Sequence, residues 1–192
     1  MFAKTFGCVR FIWNKMLSDK IAYYKEYKKK LNTTPAQYKD EFEWLREVDS
    51  LALANVQLHL QSAYQDFFND PKTGFPKFKS KKSGINKYTT NNQKGSIRIE
   101  GNRIKLPKIG FVKLVQHREI PSDHSIKSCT ISLAPSGKYY ISILTEYEEV
   151  QPTPVLDEEK ALGLDYSSPH FYADSQGNEA DYPRFYREAE ER

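Results

Sequence analysis

Residues 74–82 carry the clearest chemical signature in the chain, with the sequence GFPKFKSKK. Lysine side chains neutralise phosphate groups, and phenylalanine rings provide a face on which a base or a sugar stacks. Gly74 and Pro76 disfavour a regular helix or strand, so we predict a loop. This loop is either an element that binds nucleic acid or a solvated connection whose phenylalanines pack into the neighbouring core.

Positive charge is concentrated around this loop. The net charge of the chain is only +4, but residues 72–118 contain thirteen lysines and arginines against one acid, Glu100, whereas residues 146–192 contain four against thirteen. Tyrosine and phenylalanine are also frequent, with 13 and 11 residues. A central basic block with aromatic residues favours a nucleic-acid backbone as the partner; the alternative is a basic surface that only keeps the chain soluble.

Asp165 is the second candidate for chemistry, because it lies near the end of a predicted buried strand at residues 161–167. Hydrolysis with two Mg²⁺ ions about 4 Å apart needs several carboxylates that converge on the metals. The acids after Asp165 all fall in the predicted hairpin or the helix that follows it, and they are Asp174, Glu179, Asp181, Glu188, Glu190 and Glu191. Asp165 is therefore either a metal ligand or a strand-end carboxylate in a turn.

Histidine and cysteine indicate no other site. The spacing of the four histidines, residues 59, 117, 124 and 170, suits neither a metal site nor a catalytic pair. Cys8 and Cys129 are far apart and predict no disulfide framework, so the reduced cytoplasm is the simplest compartment. No apolar run approaches the ~20 residues of a membrane span, and the first residues lack a signal-peptide pattern.

Helices are predicted for the first third of the chain. Apolar residues at helical spacing indicate an amphipathic helix at residues 6–31, with Lys28, Lys29 and Lys30 in its last turn. A start signal at residues 34–37 predicts a short second helix that runs to about residue 46, and Asp49 caps a third helix at residues 51–69. The corner at residues 47–50 fits a helix-turn-helix, although any helical bundle has such corners. The polar residues of the third helix, among them Asn55 and His59, are predicted to face outward, towards nucleic acid or water.

Short strands are predicted for the next part. Residues 96–100 and 103–106 alternate around Gly101-Asn102 as in a hairpin, with Arg98, Arg103 and Lys105 on the outer face. Residues 111–115, 126–133 and 139–147 continue the alternation, and five short antiparallel strands suggest a small barrel or sandwich. Residues 151–160 are predicted to be a linker, and the strand with Asp165, a hairpin that turns at residues 176–177 and the start of a helix follow it.

The order of these parts resembles the TnpB (OrfB) proteins of bacterial transposons. The matching motifs run along nearly the whole chain and are FGCVRFIWN at 6–14, WLREVDS at 44–50, AYQDFF at 63–68, GFPKFKSKK at 74–82, KIGFVKL at 108–114, GKYYIS at 137–142 and GLDYS at 163–167. Each motif alone is a weak signal, whereas the ordered set is specific.

This resemblance implies an RNA-guided DNA endonuclease, in which base pairing with a guide reads sequence and protein reads the backbone and a short target-adjacent motif. The implied fold is α+β: a helical, helix-turn-helix-like recognition lobe inserted in a small antiparallel wedge-type β-barrel, then the first strands of an RNase H-like (RuvC) domain. The implied domains are a helical lobe at 1–71, a basic hinge at 72–95, a barrel at 96–150, a linker at 151–160 and the start of the nuclease domain at 161–192. Asp165 maps onto the first catalytic carboxylate, a Mg²⁺ ligand.

The sequence departs from the family pattern at both ends. The family has a barrel strand before the first helix, and further carboxylates and a four-cysteine zinc element after the first RuvC motif; we expect none of these, and no zinc site, within this chain. Guide RNA and double-stranded target DNA are the expected partners, and cleavage by this chain is not expected; alternatives are a nuclease-dead DNA-binding repressor of the same descent and a non-catalytic interaction module. The residues predicted to bind nucleic acid are Asn55, Lys77, Phe78, Lys79, Lys81, Lys82, Lys87, Tyr88, Arg98, Arg103 and Lys105.

Overall fold

The fold was analysed in a computed structural model that describes residues 1–83, 86–148, 161–166, 170–182 and 185–190. The predicted linker at 151–160 lies outside the described residues. The chain divides into two compact units, residues 1–148 and residues 149–192. No helix in the described parts of the chain is both long enough and apolar enough to cross a membrane.

The core of the first unit is built by two helices, α1 (Phe2–Tyr27) and α3 (Ser50–Asn69). Helix α1 ends earlier than the sequence pattern predicts, because Lys28 adopts a left-handed conformation (φ 53°) and its N–H bonds the carbonyl of Tyr24. Lys28, Lys29 and Lys30 therefore follow the helix, and their placement in its last turn was wrong. Buried side chains at helical spacing on the two helices form the centre of the core, and they are Phe6, Val9, Ile12, Met16, Leu53, Val56 and Leu60.

The second predicted helix is shorter than expected. It consists of α2 (Tyr38–Glu41) and a separate 3₁₀ turn (Glu43–Glu47). Phe42 leaves the helical conformation between them (φ −123°, ψ 77°), and its ring packs edge-to-face on Phe11 at 4.7 Å between ring centroids. Packing of an aromatic side chain against α1 therefore outweighs local helix propensity at this point.

Helix α3 agrees with its predicted cap. The Oδ1 atom of Asp49 accepts a hydrogen bond from the N–H of Leu51 at 3.1 Å, as an N-cap residue does. Its other carboxylate oxygen accepts from the hydroxyl of Thr90, a buried residue on a neighbouring strand. The cap thus also fastens the first turn of α3 to a strand of the sheet.

The described strands of the first unit form two antiparallel three-stranded sheets. One has the order β1 (Asn86–Asn91), β5 (Ser125–Leu133) and β6 (Tyr139–Glu146); the other has the order β2 (Arg98–Glu100), β3 (Arg103–Leu106) and β4 (Gly110–Lys113). The predicted hairpin at Gly101-Asn102 is confirmed by the pairing of Glu100 with Arg103. Strand β1 was missed, because it lies in the segment interpreted as a hinge at 72–95.

These sheets do not close into a barrel through the described residues, because no ladder of backbone hydrogen bonds joins one sheet to the other. Asn92 provides a local connection instead. Its Nδ2 donates to the carbonyl of Ile126 at 2.9 Å, and its Oδ1 accepts from the N–H of Ile97 at 2.8 Å. The side chain of Asn92 therefore links strand β5 to the chain that enters β2.

The second unit contains a small sheet in its described residues: β7 (Leu164–Asp165), β8 (Tyr172–Asp174) and β9 (Glu179–Ala180), all antiparallel. A short helix, α4 (Phe185–Glu190), follows. The expectation that the Asp165 strand is buried was wrong, since Leu164 is 63% exposed and residues 161–166 are all exposed. The predicted turn is confirmed, with Gly177 at φ 85° between β8 and β9.

Candidate nucleic-acid interface

Residues 74–82, which we call the basic loop, are held against α1 by three hydrogen bonds to their backbone. The indole Nε1 of Trp13 donates to the carbonyl of Lys77 at 2.9 Å. The side chain of Asn14 donates from Nδ2 to the carbonyl of Lys79 at 2.9 Å and accepts at Oδ1 from the N–H of Lys79 at 2.7 Å. Because α1 supplies these partners, the loop has a defined backbone path without being a helix or a strand.

The two phenylalanines of the basic loop have different roles. Phe75 packs edge-to-face on Tyr64 and Phe67 of α3, at 5.5 Å and 5.3 Å between ring centroids, and the adjacent Pro76 is buried. Phe78 is 57% exposed. Phe75 therefore packs on α3 although it is 42% exposed, whereas Phe78 presents its ring to solvent.

The lysines of the basic loop also divide into two groups. All four lysines are exposed, and no carboxylate of the described residues pairs with Lys77, Lys81 or Lys82. The Nζ atom of Lys79 lies 3.6 Å from the centroid of the Trp13 ring, which is a cation–π contact. Burial, and in second place the charge of Lys87, lower the pKa of Lys79.

Behind the basic loop lies a cleft of about 190 Å³, which we call the basic cleft. Four elements each contribute one basic side chain to it: Arg10 from α1, His59 from α3, Lys79 from the basic loop and Lys87 from β1. Burial, followed by the charges of Lys79 and Lys87, lowers the pKa of His59. The remaining lining residues are apolar or uncharged: Phe6, Val9, Ala52, Asn55, Val56, Tyr88, Thr89 and Thr130.

Sequence reasoning predicted part of this cleft. Four residues that were predicted to bind nucleic acid line it, namely Asn55, Lys79, Lys87 and Tyr88, and His59 was noted only among the outward polar residues of the third helix. Arg10 was missed. The available signal was its position directly after the buried Val9, at the border of the apolar face of α1, where a basic side chain reaches past the core.

Two predicted contact residues are buried. Tyr88 is 5% exposed, its ring packs edge-to-face on Phe6 at 5.8 Å between centroids, and burial raises its pKa. Asn55 is 7% exposed, and its Nδ2 donates to the carbonyl of Leu51 at 2.9 Å. The outward orientation predicted for Asn55 was therefore wrong, because α3 turns this side chain towards β1 rather than to open solvent.

The hairpin residues point outward as predicted. Arg98 lies opposite Lys105, which lies opposite Phe111, so these three side chains share one face of the second sheet. The guanidinium of Arg98 bonds the carboxylate of Glu100 and lies 5.6 Å from the centroid of the Phe111 ring. Arg103 and Lys113, a second cross-strand pair, lie on the same face. This face, which we call the basic sheet face, is thus cationic and carries one exposed aromatic ring.

The described residues do not fit a Mg²⁺ site at Asp165. Asp165 pairs in register with Ala173, and no group of three or more metal-binding side chains occurs in the described residues. The hydrogen bond from the side chain of Asn178 to Asp174, followed by hydrogen bonds from the backbone of the same turn, lowers the pKa of Asp174. A carboxylate used in this way is not aimed at a shared metal.

His170 has partners that its sequence position did not reveal. Its Nδ1 lies 3.0 Å from Asp181 and its Nε2 lies 3.2 Å from Glu179. The N–H of Phe171, just before β8, donates to the carbonyl of Ala180 at the end of β9. This contact brings His170 close to Glu179 and Asp181. The arrangement is a half-buried histidine between two carboxylates.

Comparisons with known proteins agree with the ordered motifs. A family model for a helix-turn-helix domain of OrfB proteins matches residues 1–30, most of which form α1. The chain is 31% identical over 166 residues to "Putative RNA-guided DNA endonuclease InsQ" of Escherichia coli K12, a match of 83% of this chain and 39% of that protein. It is 25% identical over 193 residues to "Putative RNA-guided DNA endonuclease" of Streptomyces pristinaespiralis, a match of 96% of this chain and 46% of that protein.

The chain therefore spans less than half the length of these two relatives. The matched regions nonetheless cover most of this chain, and the N-terminal match falls on the helix that holds the basic loop. Motif order, family match and relatives point to the same group of transposon-associated proteins. The family match and the two relatives support the assignment of the chain to the TnpB (OrfB) family.

Proposed function

We propose that residues 1–148 bind nucleic acid as the recognition part of a TnpB-type RNA-guided DNA endonuclease, with guide RNA and double-stranded target DNA as partners. The observation that carries this proposal is the basic loop, whose backbone is fixed on α1 while Lys77, Phe78, Lys81 and Lys82 face solvent. A prearranged row of cations with one exposed ring suits a phosphate backbone and a stacked base or sugar.

Contacts in this proposal are divided between two surfaces. The basic loop lies beside target DNA, where Lys77 and Phe78 take part in reading the target-adjacent motif. The basic sheet face binds backbone phosphates with Arg98, Arg103 and Lys105. Base pairing with the guide carries the rest of the sequence information.

The domain assignment extends this proposal to the whole chain. Residues 1–71 act as the recognition lobe, residues 72–95 connect it to a wedge-type β element at 96–150, and residues 151–160 link to the start of a RuvC-like domain at 161–192. Mg²⁺ belongs to the activity of the complete family protein, and Asp165 is the position in this chain that matches its first carboxylate. The function proposed for this chain is binding, and Mg²⁺-dependent cleavage that disappears in Asp165→Ala would overturn that part.

Salt dependence of binding tests the proposal. Fluorescence anisotropy of a labelled structured RNA and of a duplex DNA is measured between 50 and 200 mM KCl. Because each neutralised phosphate contributes about −0.9 to the slope of log K against log salt, affinity is expected to fall steeply. A flat response, or no binding, contradicts the proposal.

A charge-matched pair of variants localises the interface. The triple variant Lys77→Gln, Lys81→Gln, Lys82→Gln is expected to lose about tenfold or more in affinity and to show a shallower salt slope. The control triple variant Lys25→Gln, Lys29→Gln, Lys30→Gln removes the same charge from exposed positions in and after the last turn of α1. Equal losses in both variants mean that only net charge matters and that the basic loop is not the interface.

A further inference from the structure

We propose that the basic cleft binds one phosphate group of a nucleic-acid backbone, held by Arg10, Lys79 and Lys87 with His59 beside them. This inference deepens the proposed function and rests on it. It assigns a single defined contact to a site behind the exposed lysines of the basic loop.

The geometry of the basic cleft supports a compact anion. Its basic side chains come from four different elements and line one space. The volume of about 190 Å³ accommodates a small polyatomic group. The planar guanidinium of Arg10 can donate two parallel hydrogen bonds, and lysine ammonium groups approach the remaining oxygens as point charges, which is the usual mode of phosphate binding.

The electrostatics of the basic cleft also favour an anion. No aspartate or glutamate is among its lining residues, and no carboxylate of the described part of the chain pairs with Arg10, Lys79 or Lys87. Burial is the main cause of the lowered pKa values of Lys79 and His59, and the charge of Lys87, together with that of Lys79 on His59, adds to it, so these three groups repel each other when protonated. The negative charge of a bound phosphate would offset this repulsion.

Polar groups of the wall complete the site. The hydroxyls of Thr89 and Thr130 are 2.8 Å apart across the β1–β5 pair, and both residues line the basic cleft. One of these hydroxyls donates to the other, and the second is left to donate to a phosphate oxygen without adding charge. The cleft therefore offers both charged and neutral donors to one ligand.

The test uses the full chain, Lys87→Gln and the double variant Arg10→Gln, Lys87→Gln. These changes are made at the rim, since Lys87 is exposed and Arg10 half-buried. Lys29→Gln is the control for Lys87→Gln, because it removes one charge from an exposed residue outside the cleft. Anisotropy with the labelled RNA and duplex DNA gives affinity and salt slope, and two-dimensional NMR follows the amides of Thr89 and His59 during titration with inorganic phosphate.

The proposal predicts that Lys87→Gln weakens binding about tenfold and that the double variant makes the salt slope shallower by about 0.9, the contribution of one phosphate. Inorganic phosphate should shift the Thr89 and His59 amides saturably in the native chain and not in the double variant. Affinity and slope equal to those of Lys29→Gln, with unshifted amides, overturn the inference.

The two proposals fail in distinguishable ways. If the native chain binds neither RNA nor DNA, the proposed function is overturned. The basic cleft then does not bind a phosphate of a nucleic-acid backbone. Saturable NMR shifts would then identify a site for free phosphate. If nucleic acid binds normally but the cleft variants behave like the control, only the phosphate site is overturned.

Discussion

Asn14 on α1 pairs with both backbone polar groups of Lys79, a residue 65 positions further along the chain. The side chain of Asn14 thus satisfies both backbone polar groups of one residue in the basic loop, as a neighbouring strand does within a sheet. With the Trp13–Lys77 bond, it fixes two alternate residues of an irregular segment. The position of the lysines that face solvent is therefore determined by α1, the helix that also forms the core.

Replacing Asn14 with alanine should release this anchor without unfolding the protein. Both hydrogen bonds are exposed, so the free energy of unfolding is expected to fall by about 1 kcal/mol or less. Hydrogen exchange at the Lys79 amide should accelerate strongly, because its acceptor is gone. Trp13→Phe, which removes the donor to Lys77 and replaces the ring under the Lys79 ammonium, is the companion variant. Unchanged hydrogen exchange at the Lys79 amide in Asn14→Ala would show that Asn14 does not anchor the basic loop.

The two phenylalanines of the basic loop should separate stability from binding. Phe75→Ala removes the contacts with Tyr64 and Phe67 and should cost about 1–3 kcal/mol in urea unfolding, less than a fully buried ring because Phe75 is 42% exposed. Phe78→Ala should change stability by less than about 0.5 kcal/mol and reduce affinity for single-stranded RNA, since one stacked base is worth about 1–3 kcal/mol. The reverse pattern would show that the assignment of the two rings is wrong.

Asp49 should be among the most sensitive polar positions. Asp49→Ala removes the cap of α3 and leaves the buried hydroxyl of Thr90 without its acceptor, so a loss of about 2–4 kcal/mol is expected. Asp49→Asn should cost less, because an amide still caps the helix and pairs with the hydroxyl. Urea unfolding of these variants and of Thr90→Val measures the coupling; additive losses from Asp49→Ala and Thr90→Val would argue against a shared bond.

Stability should fall at alkaline pH. Burial raises the pKa of Cys129 from its ordinary 9.0 to about 12, and burial, with the nearby Asp19 carboxylate, raises the pKa of Tyr38 from 10.0 to about 12. Above pH 9 the unfolded chain loses these protons while the folded chain keeps them, so the unfolded state binds fewer protons and stability decreases as pH rises, by up to about 1.4 kcal/mol per pH unit for each group. Below pH 9 these groups are neutral in both states and contribute no slope.

Urea midpoints at pH 8, 9, 10 and 11 measure this effect. Cys129→Ala removes one of these groups and leaves a small void, so the variant should be less stable than the native chain. Its free energy of unfolding should fall less steeply between pH 9 and 11, because the unfolded variant releases about one proton fewer. An identical decline in Cys129→Ala and in the native chain would contradict a buried thiol with a raised pKa.

Short sequence patterns predicted the features that depend only on neighbouring residues. Asp49 as a cap, Gly101-Asn102 as a turn and the outward face of Arg98, Arg103 and Lys105 follow from the spacing of a few neighbouring residues, and each is found. The ordered motifs likewise predicted the family, because their order can be read directly from the sequence.

Features that depend on distant partners could not be predicted in this way. Strand β1 has an unremarkable sequence, and its pairing with β5 and the burial of Tyr88 against Phe6 turn an expected contact residue into a core residue. The end of α2 depends on where Phe42 packs. The basic side chains of the basic cleft come one each from four elements, so no spacing of residues along the chain predicts it.

Asn92 has a mechanical consequence. Its side chain bonds a carbonyl of β5 and the amide that precedes β2, so sliding of one sheet against the other requires these bonds to break. Tension on a nucleic-acid strand held by Arg98 and Arg103 would pass into β5 and β1 through this amide and through the apolar core to which both sheets contribute, and from Thr90 to the start of α3. The Asn92 side chain therefore adds a polar connection between the sheets to the apolar core that they share.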